Sequence, residues 1–211
     1  MTSLYIDSSQ RLYVGLLDDN QNWMGLTELE DSKKSKILHS SLQNLFDEYN
    51  VNPKELKKVY VSLGPGSYTG IRLASGLADI LEWQGVEVIS FLNHHIPYYL
   101  QVGEGDQWIA KAFKGEYFIY TISTDKNEKF DLVAKSDIAD VIGNTIFVHD
   151  ESDIIEELGI NAKEIIYTSK LIEENPKKFF TALDVESPRI KPFYFRPSDV
   201  EFKTTDKQGR N

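Results

Sequence analysis

A glycine-rich segment between a predicted strand and a predicted helix is the best candidate for chemistry in this sequence. It follows the apolar run Val59 to Leu63 and opens the helical pattern Thr69 to Trp83. Free backbone N–H groups at a helix N-terminus, joined to a glycine-rich turn, can bind an anion such as phosphate. The same residues can also form only a tight turn from strand to helix, so both interpretations stay open here. The segment consists of Gly64, Pro65, Gly66, Ser67, Tyr68, Thr69 and Gly70.

The spacing inside this segment excludes three common motifs. G-x-G-x-x-x-G is not the dinucleotide fingerprint, and no Lys-Ser or Lys-Thr follows Gly70 as a P-loop requires. A G-x-S-x-G nucleophile elbow is also absent, because Tyr68 occupies the central position. Ser67 and Thr69 are instead both candidates for the helix N-cap.

The four histidines do not follow a metal-binding pattern. His39, His94, His95 and His149 include no H-E-x-x-H motif and no pair spaced four residues apart. Adjacent residues on a helix point about 100° apart, so His94 and His95 are poorly placed to hold one ion together. We therefore predict surface or packing roles for all four and no bound metal. The absence of cysteine excludes disulfides, a thiolate nucleophile and cysteine-based zinc sites.

Composition narrows the function classes further. The 211 residues include 33 acidic and 23 basic side chains, for a formal net charge of −10, and 41% are hydrophobic. The length allows one domain or two small ones, and the hydrophobic share is enough for an ordinary packed core. No block of consecutive Lys or Arg is present, so the chain is not expected to bind a nucleic-acid backbone directly. No basic leader or long apolar run occurs, so we expect a cytoplasmic protein with no membrane partner.

The first half of the chain predicts three strands followed by alternating helices and strands. Short runs of β-forming residues predict a hairpin and a third strand. Apolar residues at helical spacing predict the first helix, with Asp31-Ser32 as its cap. The segment His94 to Leu100 predicts a short helix broken at Pro97. The other predicted elements are strands at 4–6, 12–17, 23–29, 59–63 and 86–90 and helices at 33–49 and 69–83.

The second half repeats this order, so the sequence predicts an α/β protein with two related β-β-β-α-β-α subdomains. We place them at 1–103 and 104–203, followed by a flexible tail at 204–211. Prolines interrupt an extended aromatic strip at 188–197, which predicts either an edge strand covering the core of the second half or an arm that docks on a partner. The predicted elements are strands at 108–112, 117–122, 130–134, 145–148 and 164–167 and helices at 136–142, 152–158 and 169–183.

The string Gly-Pro-Gly-Ser-Tyr-Thr-Gly-Ile-Arg, which runs from Gly64 to Arg72, closely resembles the signature of the bacterial TsaB (YeaZ) family of threonylcarbamoyladenosine biosynthesis proteins. His39-Ser40 on the upstream helix adds to this resemblance. The family usually has Phe where Tyr68 stands and Leu where Ile71 stands. The similarity extends from the N-terminal hairpin to about Ser90 and continues weakly from Gly115 to Arg196.

This resemblance implies an actin-like fold of the ASKHA, ribonuclease H-like type, in agreement with the duplicated pattern. It also implies a non-catalytic subunit that binds and activates the paralogue TsaD, which transfers a threonylcarbamoyl group to adenosine 37 of certain tRNAs. The accessory ATPase TsaE is a further expected partner. We expect a homodimer when the chain is alone, and tRNA contact only through the complex. No intrinsic cofactor is expected, although a nucleotide at the partner interface stays an open alternative.

The hairpin turns also favour a non-catalytic chain. An actin-like ATPase needs an acidic residue near the turn of each hairpin to organise magnesium and water. The first hairpin offers Asp7, but Lys111 stands in the second where the TsaB family usually has Asp. Phosphoryl transfer depends on both positions, so we do not expect independent ATP hydrolysis. Asp7 is predicted to bond its own turn rather than a metal. The alternative is a degenerate ASKHA nucleotide hydrolase or kinase, or a glycoprotease-like enzyme.

The two helices of the first half are the predicted partner surface. On the helix from 69 to 83, the polar residues fall on one narrow stripe, so the remaining apolar surface should be covered on more than one side. A sheet supplies one cover, and the resemblance implies that helices of a partner supply another. The alternative is that both helices simply pack on their own sheet. The candidate interface residues are Leu38, His39, Leu42, Leu45, Ala74, Leu77 and Leu81.

Overall fold

Two five-stranded mixed sheets form the framework of the computed structural model. The structure describes residues 2–29, 34–112, 115–125, 130–140, 142–150, 152–159, 164–186 and 188–194. The predicted cap at 31–32, the predicted tail and residues 195–197 of the aromatic strip lie outside these ranges.

The first sheet is built from strands β1 to β5, and its order is β3-β2-β1-β4-β5. The hairpin strand β2 is antiparallel to β1 and β3, whereas β4 and β5 run parallel to β1. Helices α1 and α2 supply the crossovers that parallel strands require. The strands are Ser3–Asp7 (β1), Leu12–Leu17 (β2), Trp23–Leu29 (β3), Lys58–Ser62 (β4) and Glu87–Phe91 (β5), and the helices are Lys34–Glu48 (α1) and Tyr68–Trp83 (α2).

The second sheet has the same order, β8-β7-β6-β9-β10, with the first three strands antiparallel and the last two parallel to β6. The predicted duplication of topology is therefore confirmed. The strands are Gln107–Lys111 (β6), Glu116–Thr121 (β7), Phe130–Ala134 (β8), Thr145–Val148 (β9) and Glu164–Tyr167 (β10). Helix α3 (Ile96–Leu100) precedes β6, and α4 (Ser152–Leu158) connects β9 to β10. Helices α5 (Thr168–Glu174) and α6 (Pro176–Glu186) follow β10. Short 3-10 helices occupy Pro53–Glu55, Asn93–His95 and Lys135–Asp140.

Each face of the first sheet has its own hydrophobic cluster. Apolar residues of α1 and α2 cover one face, and the opposite face packs against α3, α5 and α6. Helices that follow the second sheet in sequence thus complete the core of the first one. On this face Trp23 Nε1 donates to Glu173 O at 3.1 Å, and Asp184 accepts from Lys58 and Tyr60 at 2.6 and 2.7 Å. The boundary predicted at 103–104 stays a prediction.

Three local predictions are wrong. The single helix expected at 169–183 is two helices, because Pro176 has no amide hydrogen and begins a new helix after Asn175. Pro97 does not break its segment, since it lies in the first turn of α3, where its missing N–H costs nothing. The helix expected at 136–142 is a 3-10 helix at Lys135–Asp140.

The described part of the aromatic strip is extended but forms no regular strand. Its backbone follows the edge of the first sheet, where Ser90 N donates to Pro188 O at 2.8 Å and Phe193 N donates to Leu63 O at 2.9 Å. The ring of Phe193 packs into the aromatic cluster on the inner face of the second sheet. Among the described residues 188–194 the expected edge strand is absent, although the contact with the second core is present. The partner-docking alternative stays a prediction.

No helix among the described residues is both long and apolar enough to cross a bilayer.

Candidate functional site

The glycine-rich loop is pressed against the turn that follows β1. Ser67 N donates to Ser9 O at 2.5 Å, and Ser8 Oγ donates to Gly70 O at 2.6 Å. A Cβ atom on Gly66 would lie 2.4 Å from Ser9 O, so only glycine allows this approach. Ser67 caps α2, because its Oγ accepts from Gly70 N at 3.3 Å. Of the two cap candidates, Ser67 is therefore confirmed. The tight turn from strand to helix is present, and the anion-binding alternative stays a prediction.

Asn93 ties the loop to the same turn from the other side. Its Nδ2 donates to Ser9 Oγ at 2.7 Å, and its Oδ1 accepts from Ser62 Oγ at 2.6 Å. Its backbone N–H donates to Gly64 O at 2.7 Å. All these side chains are buried. The ends of β1, β4 and β5 are therefore joined by one polar network.

Asp7 lies at the centre of this arrangement and also contacts the second half of the chain. Its Oδ1 accepts from Ser9 N and Ser9 Oγ at 2.8 and 2.6 Å, which confirms the predicted bonding within its own turn. Its Oδ2 lies 2.7 Å from His149 Nε2, and His149 Nδ1 lies 2.8 Å from Thr168 Oγ1. Asp7, His149 and Thr168 are all buried. We call these three residues the Asp7–His149–Thr168 chain.

The charge of Asp7 is stabilised in the folded protein. Burial alone would raise the pKa of this carboxyl group, but the charge and hydrogen bond of His149 and the two hydrogen bonds from Ser9 outweigh it and lower the pKa. The chain has the residue types of an acid–base relay. However, the Thr168 hydroxyl is completely buried and cannot reach a substrate from solution.

The second hairpin carries an ion pair where an ATPase would need a carboxylate before the turn. Lys111 Nζ lies 2.6 Å from Glu157 Oε2, and Tyr117 OH donates to Glu157 Oε1 at 2.9 Å. The described residues contain no group of three or more His, Cys, Asp or Glu side chains that could hold a metal ion.

The other histidines occupy different environments. His39 is exposed on α1, while His94 and His95 are buried with ring centroids 4.3 Å apart. His94 also contacts the rings of Trp108, Phe118, Tyr120 and Phe193. Burial, together with the neighbouring His95, lowers the pKa of His94 well below its ordinary value. The packing role is confirmed for this pair.

The predicted partner residues divide into three groups. Leu38, Leu45 and Ala74 are buried in the core between the helices and the first sheet, so they offer no surface in this conformation. Leu42, Leu77 and Leu81 are half-buried at the outer side of that core, and His39 is exposed. Arg72 of the signature is exposed as well, and its guanidinium donates to Tyr68 OH at 3.1 Å.

Sequence reasoning missed two features of this region. Ile80 and Trp83, near the C-terminus of α2, are 54% and 88% exposed. The spacing predicted that the apolar surface of α2 is covered, but it did not indicate which residues of α2 stay exposed when the helix packs on the first sheet. It also missed the pairing of His149 with Asp7; the only signal was a polar His-Asp pair directly after the strand predicted at 145–148.

Comparisons with known proteins match the first half of the chain in sequence and most of it in structure. The family described as "TsaD: tRNA N6-adenosine threonylcarbamoyltransferase" matches residues 28–103. The tRNA threonylcarbamoyladenosine biosynthesis protein TsaB of Bacillus subtilis (strain 168) is 34% identical over 85 residues, which are 39% of this chain. The predicted resemblance to the TsaB (YeaZ) family is confirmed. The match spans only 37% of the length of that TsaB protein.

Two solved structures resemble most of this chain in fold. YeaZ from Pseudomonas aeruginosa superposes with a TM-score of 0.59 at 16% identity, covering 87% of this chain and 91% of that one. A protein with similarity to peptidase YeaZ from Pseudomonas aeruginosa gives 0.60 at 15% identity, covering 92% and 99%. At these identities the likeness concerns the fold alone. Together with the two equivalent sheets it confirms the predicted α/β actin-like fold of two subdomains.

Proposed function

We propose that this chain takes part in tRNA threonylcarbamoyladenosine biosynthesis as a non-catalytic subunit that binds and activates a TsaD-type transferase. The observation that carries the proposal is the match to Bacillus subtilis TsaB. The signature from Gly64 to Arg72 and the family match at 28–103 fall in the same part of the chain. That part contains α1, the glycine-rich loop and α2.

The state of the two hairpins supports a non-catalytic role. Both carboxylate oxygens of Asp7 accept or share hydrogen bonds within the protein, with Ser9 on one side and His149 on the other. Lys111 introduces a positive charge at the second hairpin and is paired with Glu157. Magnesium and an attacking water need carboxylates at these positions. The glycine-rich loop uses Ser67 N and Gly70 N in internal bonds rather than presenting them to a phosphate.

The outer side of the α1–α2 layer is the proposed surface for TsaD. On these two helices His39, Ile80 and Trp83 are exposed, and Leu42 and Leu77 are half-buried. An exposed tryptophan next to aliphatic side chains is typical of the centre of a protein interface. Two helices from each partner would then form a bundle. The same apolar surface, used isologously, gives the proposed homodimer when TsaD is absent.

The remaining parts of the proposal concern the assembly. TsaE is proposed as a further partner, with tRNA bound only through the complex and with no intrinsic cofactor. The acidic balance, 33 carboxylates against 23 cations, is consistent with leaving phosphate contacts to other subunits. The proposed location is the cytoplasm, where tRNA is modified.

The test is co-purification of this chain with TsaD from the same organism, followed by tRNA threonylcarbamoylation assays with and without it. We expect a complex, and modification that depends on it. Trp83→Ala is expected to weaken the complex by about 2 kcal/mol or more, which is roughly 30-fold in Kd. Val185→Ala, an exposed apolar truncation on α6, is the matched control and should leave the affinity unchanged. A complex that tolerates Trp83→Ala contradicts the proposed surface.

The catalytic role is tested separately on the isolated chain. We expect no magnesium-dependent ATP turnover above the rate of a buffer control. Turnover that follows this chain through purification would instead support the alternative of an ASKHA nucleotide hydrolase or kinase. Indifference of TsaD to the chain would overturn the proposed function itself.

A further inference from the structure

A cavity of about 530 Å³ lies where the chain passes from the first subdomain to the second. Its walls come from α3, from the crossover at 101–104, from the segment 122–124 after β7, and from the C-terminal part of α6. The cavity is well separated in sequence from the glycine-rich loop and from the α1–α2 surface. Its volume lies within the range of about 300–1,000 Å³ that is usual for small-molecule sites.

The backbone around the cavity has an uncommon conformation. Gln101 and Gly103 have φ values of 54° and 71°, in the left-handed region. A Cβ atom on Gly103 would lie 2.5 Å from the ring of Phe147, so glycine is required there. The crossover is thus held tightly against the second subdomain. A ligand in the cavity would contact both subdomains.

The cavity lining combines an apolar body with negative charge. Val102 and Val185 are exposed apolar side chains at its rim, and Ile122 is a buried apolar residue within it. Glu104 and Glu186 are the two ionisable acids among its described lining residues, and that part of the lining contains no Lys or Arg. Lys178, on the same helix as Glu186, lines an adjoining depression instead. The charge balance therefore disfavours an anionic ligand and favours a cationic one.

Two tyrosines orient one of these acids. Tyr98 OH donates to Glu186 Oε1 at 3.0 Å, and Tyr99 OH lies 3.5 Å from Glu186 Oε2. The hydrogen bond to Glu186 raises the pKa of Tyr98, and burial followed by the charge of Glu186 raises the pKa of Tyr99, so both stay neutral donors. Glu186, which is exposed, thus contacts two phenol hydroxyl groups of the cavity lining. Carboxylates are the groups that form charge-assisted hydrogen bonds with ammonium and guanidinium ions.

We propose that this cavity binds a small organic cation, with an ammonium or guanidinium group directed to Glu186 and Glu104 and an apolar stem against Val102, Ile122 and Val185. The proposal concerns a separate site and does not depend on the proposed function. The size and concave shape of the cavity favour a small molecule as the ligand over a flat protein surface.

The experiment uses the full chain and three probes that share one skeleton and differ in charge: 2-phenylethylamine, 2-phenylethanol and phenylacetate. Amide chemical shifts are followed by NMR, and affinities are measured by titration. We expect the amine to shift resonances of the lining residues with a Kd on the order of 1 mM, as is usual for a ligand of this size. The alcohol should bind about three- to five-fold more weakly, because a partly exposed ion pair contributes little more than that. Phenylacetate should not bind.

Two variants and a control locate the effect. Glu186→Gln keeps an acceptor for the tyrosines but removes the charge, so it should weaken amine binding about three- to five-fold without affecting the alcohol. Thr124→Arg places a guanidinium of the protein in the cavity and should remove amine binding. Glu174→Gln, the same charge change at an exposed position of α5 outside the cavity, should change nothing. Equal binding of all three probes, or no shift at about ten times the expected Kd, overturns the proposal.

Discussion

Replacing His149 by leucine removes the central member of the Asp7–His149–Thr168 chain while keeping most of its volume. The buried carboxylate of Asp7 then loses the partner that lies 2.7 Å from its Oδ2. Loss of one member of a buried, hydrogen-bonded charge pair costs about 3–5 kcal/mol, because the remaining charge is left without compensation. For a chain of this length, that cost corresponds to a fall in Tm of roughly 6–20 °C.

The pH dependence follows from the direction of the Asp7 shift. The pKa of Asp7 is lowered in the folded protein, so the folded state binds this proton less readily than the unfolded state does. The stabilisation is therefore present above the unfolded value of about 3.9 and is lost as the pH falls through the lower, folded pKa. The difference in unfolding free energy between the wild-type chain and His149→Leu should therefore shrink as the pH falls from neutral toward the folded pKa of Asp7, because protonation of Asp7 removes the buried charge.

Urea unfolding of the full chain, followed by circular dichroism, measures this difference. His39→Leu makes the same substitution at an exposed position of α1 and should change the unfolding free energy by no more than about 0.5 kcal/mol. The double variant Asp7→Asn, His149→Leu should lose less than the sum of the two single variants, because no unpaired charge remains. If His149→Leu at neutral pH lies within about 1 kcal/mol of the wild-type chain, the reasoning on the buried pair is refuted.

Two further predictions concern the glycine-rich loop and the buried His94. Gly66→Ala should destabilise the chain by about 1–3 kcal/mol, because its Cβ would meet Ser9 O at 2.4 Å, whereas Gly76→Ala on α2 meets no atom within 4 Å and should stabilise the helix by about 0.5–1 kcal/mol. His94 stays neutral in the folded state, whereas it takes up a proton in the unfolded chain as the pH falls. The free energy of unfolding should therefore fall by about 1.4 kcal/mol between about pH 7.5 and about pH 5.5. His94→Phe should remove this loss. Urea unfolding measures both; a Gly66→Ala variant as stable as the wild type, or a pH slope unchanged by His94→Phe, would contradict them.

The regular elements could be predicted because local patterns determine them. The alternation of apolar residues in β2, the helical spacing in α1 and the strand-to-helix change around Gly64 each follow from neighbours in sequence. Two predictions were wrong at prolines, because the effect of a proline on a helix depends on its position in that helix. Pro97 and Pro176 both lie in the first turn of a helix, where proline is tolerated, although the sequence pattern predicted a break at one and none at the other.

The contacts between subdomains could not be predicted in this way. Asp7 and His149 are 142 residues apart, and their pairing depends on how the two sheets are placed relative to one another. A single histidine after an apolar run is as compatible with packing as with a buried hydrogen bond. The same reason explains why Leu38, Leu45 and Ala74 were predicted as interface residues although they are buried, and why the exposed Ile80 and Trp83 were not predicted. Helical spacing gives the direction of a side chain relative to its helix axis but does not show what covers it.

Helices α5 and α6 follow the second sheet in sequence but pack against the first sheet. Phe179, Phe180 and Leu183 are buried against Tyr60 and other residues on a face of the first sheet that α1 and α2 do not cover. The repeated order of elements therefore describes two equivalent sheets but not two independent hydrophobic cores. The hydrogen bonds from Lys58 and Tyr60 to Asp184 hold this arrangement at the edge of that face. The packing of α5 and α6 on the first sheet and the buried hydrogen bond between Asp7 and His149 are therefore two separate contacts that join the halves of the chain.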